Sequence, residues 1–145
     1  MGMPQRQLTT TPMRGQALIE TPFATLWYYP AERIVHHQIH KFIFGAAFRD
    51  LLMKGAEVLK ANGATKWVSD DRNNGALCTE DKDWADTCWR PLAFRSGWKT
   101  WAIVQPESIV GQMNIRRIVQ AEEVRSLEIQ VFTSPEEALA WIATR

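Results

Sequence analysis

From Phe42 onward the apolar period of the chain switches back and forth between 3.6 and 2, which leaves few folds open to it. Phe44, Phe48, Leu51, Leu52, Gly55 and Leu59 share one helical face of the segment 42–62, and Asn62-Gly63 supplies a stop signal. A short strand follows at Thr65–Ser69. Thr79 then reads as the N-cap of a second helix, with Glu80 and Asp81 in its first turn and Pro91 as a kink or end. Lys99–Pro106 reads as a buried strand. The segment Glu107–Ala121 reads as a helix with Ile109, Val110, Met113 and Ile118 as its apolar face, and "SLEIQVF" alternates as a strand does. In "SPEEALAWIA", Ser134 is the expected N-cap, Pro135 takes the first helical position, and Glu137 completes a capping box. Strands alternating with helices imply parallel pairing through right-handed crossovers.

Ahead of that alternation, "FATLWYYPAERIVHHQIHKF" carries two β-branched and aromatic runs, Ala24–Tyr29 and Arg33–His40, around a "PAE" turn. These predict an antiparallel hairpin at the front of the sheet. Residues 1–22, rich in Thr, Pro, Gln and Gly, predict a flexible tail, and 23–145 a single domain. The expected architecture is α/β, with a mixed sheet of about five strands and about four helices.

Charge and length narrow the function classes. A net charge of +1 with both signs interspersed gives no basic face for nucleic acid. No apolar run reaches membrane-spanning length and the N-terminus has no signal-peptide core, so the expected location is cytoplasmic. Cys78 and Cys88, ten apart, fit neither a C-x-x-C redox motif nor a zinc knuckle, and two buried free thiols are expected. His36 and His40 share a strand face while His37 points away, so no metal site is expected. No cofactor motif is present.

The polar stretch "SDDRNNG", at the carboxyl end of a core strand, falls where open parallel sheets collect their ligands, together with His40-Lys41, Gln105–Ser108 and Thr133-Ser134. Asp70 and Asp71 should point to opposite sides. Asp and Asn side chains there suit capping of backbone N–H groups, and Asn74-Gly75 suits positive φ. Seven tryptophans point to core, dimer contact or a ligand pocket. Trp84, Trp89, Phe94 and Trp98 are the candidate pocket aromatics. Trp84 and Trp89, five apart on one helix, cannot easily reach one core, so self-association as a homodimer is expected.

In order and spacing, "TLWYYPAERIVHHQIHKFIFG", "KWVSDDRNN", "WAIVQPESIVGQMNIRR" and "EIQVFTSPEEALAWI" resemble the STAS/SpoIIAA-like family of small bacterial domains. The resemblance covers about Ala24 to Ile142. It implies a short β-α superhelix and a non-enzymatic regulatory or protein-interaction module. Anti-sigma factor antagonists of that fold are phosphorylated on a Ser in a D-S-[ST]-G-like turn. Here the matching loop, Ser69, Asp70, Asp71, Arg72, Asn73 and Asn74, is the expected interaction or switch loop. Its Ser precedes the acids, whose charge would repel a phosphate or stand in for one. The related CRAL-TRIO lipid carriers imply a second reading, a carrier or sensor of a small apolar ligand. An enzyme using Asp70, Asp71 and Arg72 is the third.

Overall fold

The computed structural model describes residues 13–75 and 77–145. A mixed six-stranded sheet runs in simple sequence order: β1 (Gln16–Glu20), β2 (Ala24–Tyr29), β3 (Ile34–Ile39), β4 (Lys66–Asp70), β5 (Thr100–Val104) and β6 (Glu128–Phe132). The first two pairings are antiparallel and the remaining three parallel. The α/β class and the front hairpin are as expected. The sheet has one strand more, because Gln16–Glu20, read as tail, pairs along β2 as an edge strand. Its exposed, alternating side chains carry too weak an apolar signal to declare a strand; the pairing is supplied by β2. Of the expected tail, residues 1–12 lie outside the described residues.

The helices are α1 (Gly45–Asn62), α2 (Thr79–Trp84), α3 (Arg90–Arg95), α4 (Ile109–Val119) and α5 (Pro135–Ala143). A π-helical stretch, Ala85–Trp89, joins α2 to α3 into one run, 79–95, so four helical units cover the sheet. Pro91 does not stop that run. It falls in the first turn of α3, just after the π turn, which already departs from the regular hydrogen-bond ladder. Thr79 is the first helical residue, and the cap position belongs to Cys78. At α5 the expected cap is present: Ser134 Oγ accepts from the Glu137 N–H at 3.3 Å.

The two faces of the sheet are covered unequally. α1, the run 79–95 and α4 bury Leu26, Val35, Trp67, Trp101 and Ile103 on one face. Among the described residues α5 is the helix on the other face, packing Ala138 and Ile142 on Tyr29, Ile34, Val68, Ala102 and Val104, with Met13 also packed against this cluster. Trp67 anchors the larger core. It lies so close to α1 that a Cβ at Gly55 would stand 2.0 Å from its ring, so only glycine fits there. Trp89 and Trp98 pack against Trp67 at centroid distances of 5.3 and 6.2 Å, with Trp101 and Phe94 on Trp98 at 5.0 and 5.6 Å. Three of the four candidate pocket aromatics thus join one aromatic cluster, Trp89 and Trp98 inside the core and Phe94 packed against it. Trp84 packs edge-on against Phe48 and under the Arg49 guanidinium.

Candidate functional site

Strand alternation sorts the residues at the carboxyl ends of β3 and β4. Trp67, Ser69 and Asp71 point to the face under α1, 79–95 and α4, whereas Asp70 points to the face under α5. Parallel register sets His37 opposite Ser69, and Ser69 opposite Ile103. The adjoining loops meet above this point. The Asp71 N–H donates to Val104 O at 3.0 Å, Glu107 N–H to Arg72 O at 3.2 Å, and Gln105 N–H to Phe132 O at 2.9 Å. The loops after β4, β5 and β6 thus meet at the rim as expected, whereas His40 bonds to Phe23 and Thr25 of the front hairpin.

His37 is held from both sides. Trp67 Nε1–H donates to His37 Nδ1 at 3.0 Å, so the ring hydrogen sits on Nε2, which meets Asp71 Oδ1 at 2.9 Å. With both nitrogens engaged, His37 orients Asp71 and is not free to take a proton from a neighbour. Trp101 Nε1–H donates to Ser69 Oγ at 2.8 Å, which leaves the Ser69 hydroxyl hydrogen available. Ser69 is 3% exposed, at the end of a core strand, so it does not present itself as the switch serine of a surface turn. Asp71 Oδ2 receives no hydrogen bond among the described residues.

Asp70 is engaged differently. Its carboxylate takes both Arg72 Nε–H and Nη2–H at 2.9 Å, a bidentate pair with Asp70 buried and Arg72 half-buried. The triplet Asp70-Asp71-Arg72 therefore divides between two faces and does not form one catalytic centre. Of the expected switch loop only Asn73 is exposed, with Arg72 and Asn74 half-buried and Ser69, Asp70 and Asp71 buried. Positive φ is taken by Arg33, Gly45, Gly63 and Gly97, not by Asn74 or Gly75.

On that same α5 face His36 is buried between Trp27, at a centroid distance of 4.8 Å, and Tyr29, whose hydroxyl meets His36 Nδ1 at 3.0 Å. Burial, joined by the charges of His37 and Arg72 and opposed by Asp70, lowers its pKa to about 3. His40 Nε2 meets Thr25 Oγ1 at 2.7 Å. No cluster of metal-ligating residues occurs among the described residues.

The cysteines are free: Cys88 is exposed and Cys78 half-buried, so neither is the buried thiol expected. The Cys78 thiol donates to Asp81 Oδ2 at 3.1 Å, which raises its pKa and suppresses the thiolate. Burial pushes Asp81 up, but bonds from Cys78, from the Gly45 N–H and from Arg49 outweigh it and hold its carboxyl below the ordinary value. This acid ties the start of α1 to α2.

Above Ser69 and Asp71, between the sheet and the helices, lies a cavity of about 90 Å³. Trp89 and Trp101 contribute to its wall, and Asn114, Ile115 and Ile118 of α4 close it from above. Trp84, Phe94 and Trp98 are not part of its lining. Arg90 is, and no sequence signal pointed to it: an arginine after a tryptophan in a helix looks like solvated surface, yet here, just after the π turn, it is buried. Trp67, Ser69 and Asp71, by contrast, share a face at period 2 in "KWVSDD", a signal visible in the sequence itself.

The outer side of α4 carries the largest departure from the sequence pattern. Ile109, Val110 and Met113, expected as its core face, are 75%, 63% and 61% exposed, and only Gly111 and Ile115 of this helix are buried. Phe42 and Phe44, 5.6 Å apart, are also exposed, ahead of α1. No helix of the described residues is long and apolar enough to cross a membrane. No family model, curated protein or solved structure matches the chain.

Proposed function

We propose that the chain is a non-enzymatic interaction module of the STAS/SpoIIAA-like type, and that it docks through the outward stripe of α4. The observation that carries this reading is the exposure of Ile109, Val110 and Met113 together on one short helix. Leu77, from the loop after β4, lines the same groove as Val110 and Met113, so the stripe adjoins the polar rim. Contiguous exposed apolar side chains with a polar border are the usual mark of a docking surface.

A second copy of the chain is the occupant that charge favours. Val110, Met113 and Arg117 follow one another at helical spacing, with Glu107 just ahead of the first turn. Two such helices packed antiparallel about a two-fold axis would bring the basic end of each towards the acid of the other. The enzyme reading has less support: His37 has no free nitrogen, the Cys78 thiol is held protonated, and Asp70 is closed by Arg72. A lipid carrier has less support too, because the cavity between sheet and α4 is about 90 Å³, whereas drug-sized ligands need about 300–1,000 Å³.

Sedimentation velocity on the intact chain and on Val110→Glu/Met113→Glu tests the proposal. Both sites are exposed, so the melting temperature should be unchanged, while concentration-dependent dimerisation of the parent is lost in the variant. A parent that stays monomeric at hundreds of micromolar, or a variant that dimerises equally well, overturns it.

A further inference from the structure

The cavity under α4 contains polar groups that the protein itself leaves unused. Arg90 is 8% exposed and lines it. One guanidinium nitrogen, Nη1, donates to Asp86 at 2.8 Å, but Nε–H is buried and has no partner among the described residues. A buried donor without an acceptor is costly, and a charged one especially so. The same cavity holds Asp71, whose Oδ1 is fixed by His37 while Oδ2 receives no hydrogen bond among the described residues. It also holds Ser69, whose oxygen already accepts from Trp101 and whose hydrogen can therefore donate. The unused set is thus a cationic donor, a neutral donor and an anionic acceptor, set among apolar walls.

We propose that this cavity binds a small zwitterion, an α-amino acid of the size of glycine or alanine. Its carboxylate accepts from Arg90 Nε–H and the Ser69 hydroxyl, and its ammonium donates to Asp71 Oδ2. Size and charge both select this class. A volume of about 90 Å³ corresponds to roughly three waters at ~30 Å³ each, which admits a ligand of about five non-hydrogen atoms at protein packing density. Arg90 and Asp71 have opposite charges, so a ligand carrying both charges leaves neither unpaired. A plain carboxylate would leave Asp71 Oδ2 without a donor, and a plain amine would leave Arg90 Nε–H without an acceptor. The positioning of Asp71 by His37, itself fixed by Trp67, prepares the acceptor before the ligand arrives.

The test is a set of thermal-shift and calorimetric titrations of the full chain at neutral pH with glycine, L-alanine, acetate and methylamine. Glycine or L-alanine should raise the melting temperature saturably, with acetate and methylamine at least roughly tenfold weaker. Arg90→Gln should weaken binding by about tenfold or more, and Asp71→Asn should reduce the preference for glycine over acetate. Should Arg90→Gln fail to fold, Ile118→Trp, which fills the cavity from a half-buried position and keeps both charges, should abolish binding. No response to either amino acid, acetate binding as well as glycine, or unchanged binding by Ile118→Trp overturns the proposal.

Discussion

Asp70 and Asp71 are chemically identical neighbours, and the fold treats them oppositely. Asp70 turns to the face under α5 and is closed by a bidentate pair with Arg72. Asp71 turns to the face under α1, 79–95 and α4, where it lines a cavity; it shares one oxygen with His37, and the other receives no hydrogen bond among the described residues. Asp70 is thus satisfied at this rim, although His36 Nε2 on the same face is buried without a partner among the described residues, while Asp71 keeps one oxygen without a hydrogen bond among them. A row of polar residues at a strand end therefore says little about function until each is assigned to a face and its partners are counted.

The largest effect should come from the element that organises the open face. Trp67 fills the space beside Gly55, supports the tryptophan cluster and orients His37. Trp67→Ala should cost about 3–5 kcal/mol in denaturant unfolding, with the tilt of the loss set by how far the core collapses. A loss below about 1 kcal/mol would show that this cluster is not the core of the face.

The two aspartates should separate next. Asp70→Ala removes a buried carboxylate holding two charge-assisted bonds and should cost about 1–3 kcal/mol. Asp71→Ala removes one bond beside a cavity, and should cost less by about 1 kcal/mol. Equal losses, or the reverse order, in paired thermal melts would erase the distinction between a closed and an open side.

pH probes the closed face through His36. Its folded pKa lies near 3 against the ordinary 6.5. Between those values the unfolded chain binds a proton that the folded chain does not, so stability falls as pH drops from about 6.5 towards 3. The limiting slope from this one group is about 1.4 kcal/mol per pH unit. His36→Gln should flatten the limb between about pH 6.5 and 4.5, above the range in which Asp81 titrates. A limb of unchanged slope would mean that His36 is hydrated in the folded state.

The smallest effect concerns α5, which closes that face. Ser134→Ala removes the hydroxyl that accepts from Glu137 N–H and should lower stability by about 1 kcal/mol. A melting temperature unchanged within error would show that Pro135 alone sets the start of the helix.

Legibility followed the strength of the local signal. The hairpin at Ala24–Tyr29, the helix ending at Asn62, and the Ser134 cap could be read because period, stop signal and cap chemistry agree there. Edge strand β1 could not, since half-exposed residues take their conformation from the neighbour that pairs with them. α4 misled for a different reason: its apolar residues repeat at helical spacing, and periodicity reports a face without reporting what covers it.

By itself, then, the sequence determined the α/β class, the order of most elements and the opposite facing of Asp70 and Asp71, because these follow from local period and backbone geometry. Tertiary structure alone decided which face of α4 is buried, that Arg90 lies inside rather than on the surface, and that His37 lies between Trp67 and Asp71. Those outcomes depend on strand register and on where one helix rests upon another. They arise between residues 30 or more positions apart, where no local pattern records the pairing.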